Sequence, residues 1–219
     1  MEREATRRLF VAIELPESVR EALRNAIDLL RGNGLTAGLR WVRPEGIHLT
    51  LTFLGATAEP RVPEIAAALR AALAGAPAFN LQPDGLGTFP EIRPGRRESG
   101  RRGLRVLWVG IAGDTAALSA LAARVEGALA PLGYPEEGRP YSAHLTLARV
   151  RDDADGPAME SMYDTLRPYL LKSARSAEVQ PDLVPAFPGF RAERVALMES
   201  KIAPGGAQYR AIETFALSG

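Results

Sequence analysis

The chain has 219 residues, a formal net charge of +1, two histidines and no cysteine, with 46% hydrophobic and 24% charged residues. That balance belongs to an ordinary globular protein with room for one sizeable core. It leaves no place for a disulfide framework, a thiolate nucleophile or cysteine-ligated zinc. No apolar run approaches the roughly 18 residues of a membrane span. The charged start, Met1–Arg8, leads straight into a strand-like run instead of an apolar leader, so a cytoplasmic location without membrane contact is expected.

In chain order, Leu9–Ile13 is a short apolar strand signal. Pro16 and Glu17 suit a helix first turn. Val19, Leu23, Ile27 and Leu30 follow at helical spacing, and Gly32 and Gly34 end the helix. Ile47–Phe53 alternates with period two and reads as a strand. A second helix carries Ile65, Leu69 and Leu73, and Phe79–Phe89 reads as an extended return. The order then repeats. Val106–Ile111 is a strand, Asp114 a helix N-cap, and Leu118, Leu121, Ala122, Val125, Leu129 and Leu132 an amphipathic stripe. Ala143–Leu147 is the second alternation, and Met159, Met162, Tyr163, Leu166 and Leu170 mark a further helix. Arg194–Ser200 and Tyr209–Leu217, split by Pro204-Gly205-Gly206, read as a closing hairpin.

The spacing therefore predicts a duplication: one lobe over about 1–90, another over 104–219, and a connector at 91–103. Each half alone would expose one sheet face, which packing about a pseudo-twofold axis would bury. The basic residues Arg93, Arg96, Arg97, Arg101, Arg102 and Arg105 crowd into this connector region. Such a run is either a solvated loop or a lure for a polyanion.

Both histidines occur in the same tetrapeptide, His-Leu-Thr-Leu, at His48 and His144. On a strand, alternate residues share a face. His48 with Thr50, and His144 with Thr146, are thus offered to a cleft while the leucines anchor the core. Opening a cyclic phosphodiester with water needs a base for the nucleophile and an acid on the departing ribose oxygen. Two imidazoles titrating near neutrality can share those tasks. Two threonine hydroxyls can donate to the non-bridging oxygens. Metal ligation is the weaker reading, because no Asp, Glu or His lies within two positions of either histidine. No glycine-rich phosphate loop is present, and neither a metal nor a cofactor is expected.

At this point the sequence resembles the two-histidine (2H) phosphoesterases, specifically the bacterial and archaeal RNA 2′,3′-cyclic phosphodiesterases first described as 2′-5′ RNA ligases. The likeness spans Arg8–Pro16, Arg40–Glu45, His48–Leu51, Phe53–Gly55, Arg139–Tyr141, His144–Arg149 and Leu197–Ser200. It implies a bilobed α+β fold with an antiparallel sheet and flanking helices in each lobe and a central cleft. It also implies His48 as proton donor to the leaving 3′ oxygen, His144 as the base for water, and a 2′-phosphate product. Thr50 and Thr146 would hold the phosphate, and Arg149 and Phe10 would flank the nucleobase. Phe10 has core character as well. Arg149 lies five residues past His144, so on a regular strand it faces away, and a bend must turn it inward. Arg43, with Arg40 beside Trp41, is a candidate RNA-phosphate contact. Tyr209 and Arg210 border the cleft if the hairpin closes over it. Ala143 departs from the family, where proline often precedes the second motif. The expected partner is an RNA with a 2′,3′-cyclic end or a cyclic nucleotide, acted on by a monomer. A 2′-5′ ligase acting on tRNA halves and a non-catalytic RNA- or nucleotide-binding module are the alternatives.

Overall fold

The structure, a computed structural model, describes residues 5–91, 104–135, 138, 140–170, 186–204 and 206–219. Its strands are β1 (Thr6–Glu14), β2 (Leu39–Trp41), β3 (His48–Ala58), β4 (Phe79–Phe89), β5 (Val106–Gly113), β6 (His144–Val150), β7 (Phe190–Ala192), β8 (Arg194–Ala203) and β9 (Gly206–Ala216). Four helices join them: α1 (Glu17–Gly32), α2 (Val62–Leu73), α3 (Thr115–Leu129) and α4 (Gly156–Leu170). The basic run Arg93–Arg102 falls outside the described residues.

Local sequence explains the helices. Val19, Leu23, Ala26, Ile27 and Leu30 form the buried stripe of α1. The helix closes on Gly34, whose φ of 92° lies in the left-handed region, with Leu35 N–H returning to the Leu30 carbonyl. Asp114 stands at the start of α3, but its carboxylate does not cap the helix. It accepts the Asn80 backbone N–H at 2.9 Å instead, tying β4 to the helix start. The helix stripes of α1, α2 and α3 join both sheets in one core.

The strands build two antiparallel sheets, ordered β3-β1-β8-β9 and β2-β6-β5-β4-β7. The sheets do not follow the division at 91–103. The first half lends β2 and β4 to the sheet of β5 and β6, and the closing hairpin β8–β9 pairs with β1. β1 lies inside its sheet, with β3 along one edge and β8 along the other. Its two faces meet different clusters: Leu9, Val11 and Ile13 face the main core, and Phe10 and Ala12 face a second one shared with Ala196 and Met198 of β8. Glu199 of β8, only 4% exposed, strengthens that seam: Arg210 of β9 donates to it at 2.8 Å, and Arg7 of β1 lies 3.9 Å away. A lone buried carboxylate would be costly, and these partners offset the cost.

Candidate active site

The two histidine strands are built alike, down to an irregularity. β3 pairs with β1 as Glu14↔His48 and Ala12↔Thr50, then skips Leu51 to reach Val11↔Thr52 and Phe10↔Phe53. β6 pairs with β5 as Gly110↔His144 and Trp108↔Thr146, then skips Leu147 to reach Leu107↔Ala148 and Val106↔Arg149. Each strand thus carries a β-bulge at the third residue after its histidine. A bulge inserts one residue and reverses which face the later residues occupy. Arg149, which a regular strand would turn away, is brought by the bulge onto the face of His144 and Thr146. Phe53 is brought onto the face of His48 and Thr50 in the same way.

Both imidazoles are anchored identically. His48 Nδ1 lies 2.8 Å from the Gly46 carbonyl, and His144 Nδ1 lies 2.8 Å from the Ser142 carbonyl. A carbonyl only accepts, so Nδ1 is the donor in each ring and Nε2 is the nitrogen left for chemistry. Arg24 of α1 donates to Glu45 at 2.9 Å and so braces the turn that carries Gly46. Tyr141 Oη donates to the Thr50 carbonyl at 2.8 Å, joining the approach to β6 directly to β3. Burial pushes the Tyr141 hydroxyl pKa up, so it remains a donor at any ordinary pH. Among the described residues, neither the Thr50 nor the Thr146 hydroxyl has a hydrogen-bond partner in the protein.

Aromatic rings support both histidines. Phe10 lies beneath His48 with ring centroids 4.5 Å apart, and Tyr209 meets the His48 ring edge-on at 4.8 Å. His144 is flanked by Phe89 at 5.0 Å and Trp108 at 6.3 Å. The Trp108 ring lies flat across Gly87, where an added Cβ would come within 2.1 Å of it. Glycine is required there by close approach.

Charge follows from this packing. Burial lowers the His48 pKa to about 4, opposed by the Gly46 hydrogen bond and reinforced by the positive charges of Arg149 and a protonated His144. Burial likewise lowers that of His144, opposed by the Ser142 hydrogen bond and reinforced by Arg149. Arg149 therefore acts on both rings, and each is neutral in the free site at pH 7. An anionic phosphate between them reverses the sign of that environment and favours their protonated forms.

The structure thus brings together His48, Thr50, His144, Thr146 and Arg149. Phe10 does not present a face to solvent: at 2% exposure it is the floor under His48. Arg43 is exposed, on the turn before β3, and Arg40 pairs with Arg149 in register on β2. Tyr209 borders the site as the hairpin placement suggests, through its contact with His48. Trp108 and Phe89 escaped sequence reasoning, since nothing local distinguishes a strand aromatic under a histidine from a core aromatic. Phe53 escaped it too, although a signal existed. Aligning His-Leu-Thr-Leu-Thr-Phe with His-Leu-Thr-Leu-Ala-Arg sets Phe53 opposite Arg149.

Two strands, each offering an imidazole Nε2 and a free hydroxyl, with one arginine charge felt by both rings, define a phosphoesterase of the two-histidine class. Comparison with known proteins agrees. The profile described as LigT like Phosphoesterase matches residues 13–97. An RNA 2′,3′-cyclic phosphodiesterase of Archaeoglobus fulgidus is 30% identical over 95% of this chain and 99% of its own. One from Thermus thermophilus is 30% identical over 97% of this chain and 91% of its own. Among solved structures, a Thermus thermophilus protein superposes with a TM-score of 0.69 at 26% identity, covering 96% of this chain and 97% of that one. Escherichia coli LigT with 3′-AMP shares the fold with a TM-score of 0.66 at 23% identity, covering 98% of this chain and 100% of that one. The chain belongs to the LigT-like phosphoesterase family, within the two-histidine superfamily.

Proposed function

We propose that this protein hydrolyses 2′,3′-cyclic phosphates at RNA ends to 2′-phosphomonoesters. His144 Nε2 takes a proton from water as its oxygen attacks phosphorus. The bond from phosphorus to the 3′ oxygen breaks, and His48 Nε2 delivers a proton to that oxygen. Thr50 and Thr146 donate to the non-bridging oxygens, and Arg149 adds a positive charge beside them. The observation that carries this reading is the repeated strand geometry: the same bulge and the same Nδ1 anchor on both histidine strands, with both rings close enough to feel the charge of Arg149. The names of the curated relatives support the substrate class, and the nucleotide in Escherichia coli LigT is consistent with it. Every group used comes from one chain, so a monomer suffices.

Because His48 is neutral in the free site at pH 7, its ring takes up a proton from solvent as the anionic substrate binds. The two rings share that proton as a coupled pair. The test is a short RNA with a 2′,3′-cyclic end, incubated with EDTA, followed by identification of the hydroxyl that keeps the phosphate. Turnover to the 2′-phosphate is expected. A 3′-phosphate product, or loss of turnover on chelation, overturns the reading.

A further inference from the structure

We propose that Tyr209 of β9 is a positioning residue for His48: its ring lies on the Gly46 peptide that anchors the imidazole and keeps water from that anchor, which holds Nε2 toward the cleft. The proposal takes from the proposed reaction only that His48 Nε2 moves a proton. It does not depend on which oxygen receives it.

The two histidines carry the same anchor in different surroundings. The hydrogen bond from His48 to the Gly46 carbonyl is partly buried, whereas that from His144 to the Ser142 carbonyl is exposed. Tyr209 lies where it makes that difference. Its ring meets His48 edge-on at 4.8 Å, and meets Phe10 at 5.5 Å with an interplanar angle of 86°. Its Cδ2 and Cε2 carbons come so near Gly46 that a Cβ added there would stand 3.1 Å from each. One ring therefore touches the imidazole, the residue whose carbonyl anchors it, and the floor beneath it. Gly46 allows this close approach because it has no side chain. At the equivalent place before β6 the chain carries Ser142.

The ring is held there by its own strand. Tyr209 stands opposite Ser200 in the β8–β9 ladder, and its neighbour Arg210 opposite Glu199, to whose buried carboxylate Arg210 donates at 2.8 Å. That charge-assisted bond fixes the hairpin register beside the tyrosine. The ring then packs on the cluster of Phe10, Ala12, Ala196 and Met198. Among the described residues its hydroxyl has no hydrogen-bond partner, so the ring itself makes these contacts. A hydrogen bond away from water is electrostatically stronger than one in it, so a covered anchor restricts the imidazole more than an open one. The titratable and charged groups on the elements about His48 are Glu14 on β1, Arg43 and Glu45 before β3, Arg210 on β9, and His144 and Arg149 on β6. Of these, Arg149 and His144 bear on its charge, and a change at Tyr209 alters neither. What Tyr209 contributes is cover.

The experiment follows both imidazoles by NMR titration in the free protein, alongside steady-state kinetics on a 2′,3′-cyclic substrate, for the native chain, Tyr209→Phe and Tyr209→Ala. In Tyr209→Ala the His48 midpoint is expected to rise by about one to two units toward its ordinary value as burial is relieved, with that of His144 left in place. Turnover is expected to drop through kcat by about tenfold, part of the roughly 10²–10⁴-fold worth of a positioned acid or base, with KM within about twofold. Tyr209→Phe keeps the ring and should match the native protein in both readouts. Should Tyr209→Ala fail to fold by circular dichroism, Tyr209→Leu keeps an apolar side chain on the cluster while withdrawing the ring, and the same changes are expected of it. An unmoved His48 midpoint, an equal shift of both histidines, or a Tyr209→Phe variant as impaired as Tyr209→Ala overturns the proposal. The titration needs no substrate, so a native protein that turns nothing over would sink the proposed reaction while Tyr209 is judged separately.

Discussion

His48 and His144 carry the same anchor but sit in unequal surroundings. Phe10 and Tyr209 enclose His48, while Phe89 and Trp108 flank His144 more loosely. Replacing either histidine by alanine should lower turnover by about 10²–10⁴-fold, the usual worth of a positioned acid or base, in a steady-state assay with the fold checked by circular dichroism. The pH dependence has a definite sign. Both free-site imidazoles titrate below the ordinary 6.5, His48 at about 4. The productive free enzyme holds one proton on the pair, and that proton is lost above the higher of the two values. Hence kcat/KM should already be falling as pH rises through neutrality. Arg149→Met removes a charge that opposes protonation of both rings, so this limb should move to higher pH. A limb that stays in place would show that the charge of Arg149 does not reach them.

At the scale of the element, the decisive feature is a bulge. Leu51 and Leu147 are ordinary core leucines in composition, yet each is the extra residue that reverses the face of its successors on the strand. The alternation of His, Thr and Leu was legible, so the strand character and the shared face of each His–Thr pair were derivable. The bulges were not. Two adjacent buried positions in a strand look the same in sequence whether the ladder slips or continues. Glycine plays the complementary part on β4, where Gly87 leaves room for the Trp108 ring beneath His144. Gly87→Ala forces that ring to shift, and we expect about 1–3 kcal/mol of destabilisation together with reduced kcat/KM, measured by denaturant unfolding and by turnover. Tyr141→Phe removes only the hydrogen bond to the Thr50 carbonyl. It should cost about 1 kcal/mol by the same unfolding measurement.

Over the whole molecule, the exchange of strands between sequence halves makes the two lobes depend on one another. β1 is an interior strand only because β8 arrives from the far end of the chain, and β6 lies between β2 and β5. Residues 1–90 and 104–219 expressed separately should each fail to show a cooperative thermal transition. Mixed, they should regain both the transition and activity if the sheets reassemble. A half that melts cooperatively alone would contradict this dependence.

Sequence alone determined the four helices, the longer strands, the duplicated His-Leu-Thr-Leu motif and the chemistry that two histidines and two threonines can perform, because hydrophobic period and residue type are local properties; the three-residue strands β2 and β7 are too short to leave a period. Tertiary structure decided which strands share a sheet, which way Arg149 and Phe53 face, and which rings enclose each imidazole. Those outcomes depend on ladder register and on pairing between residues far apart in the chain, and a one-residue slip in register changes the face of a side chain without changing any local pattern.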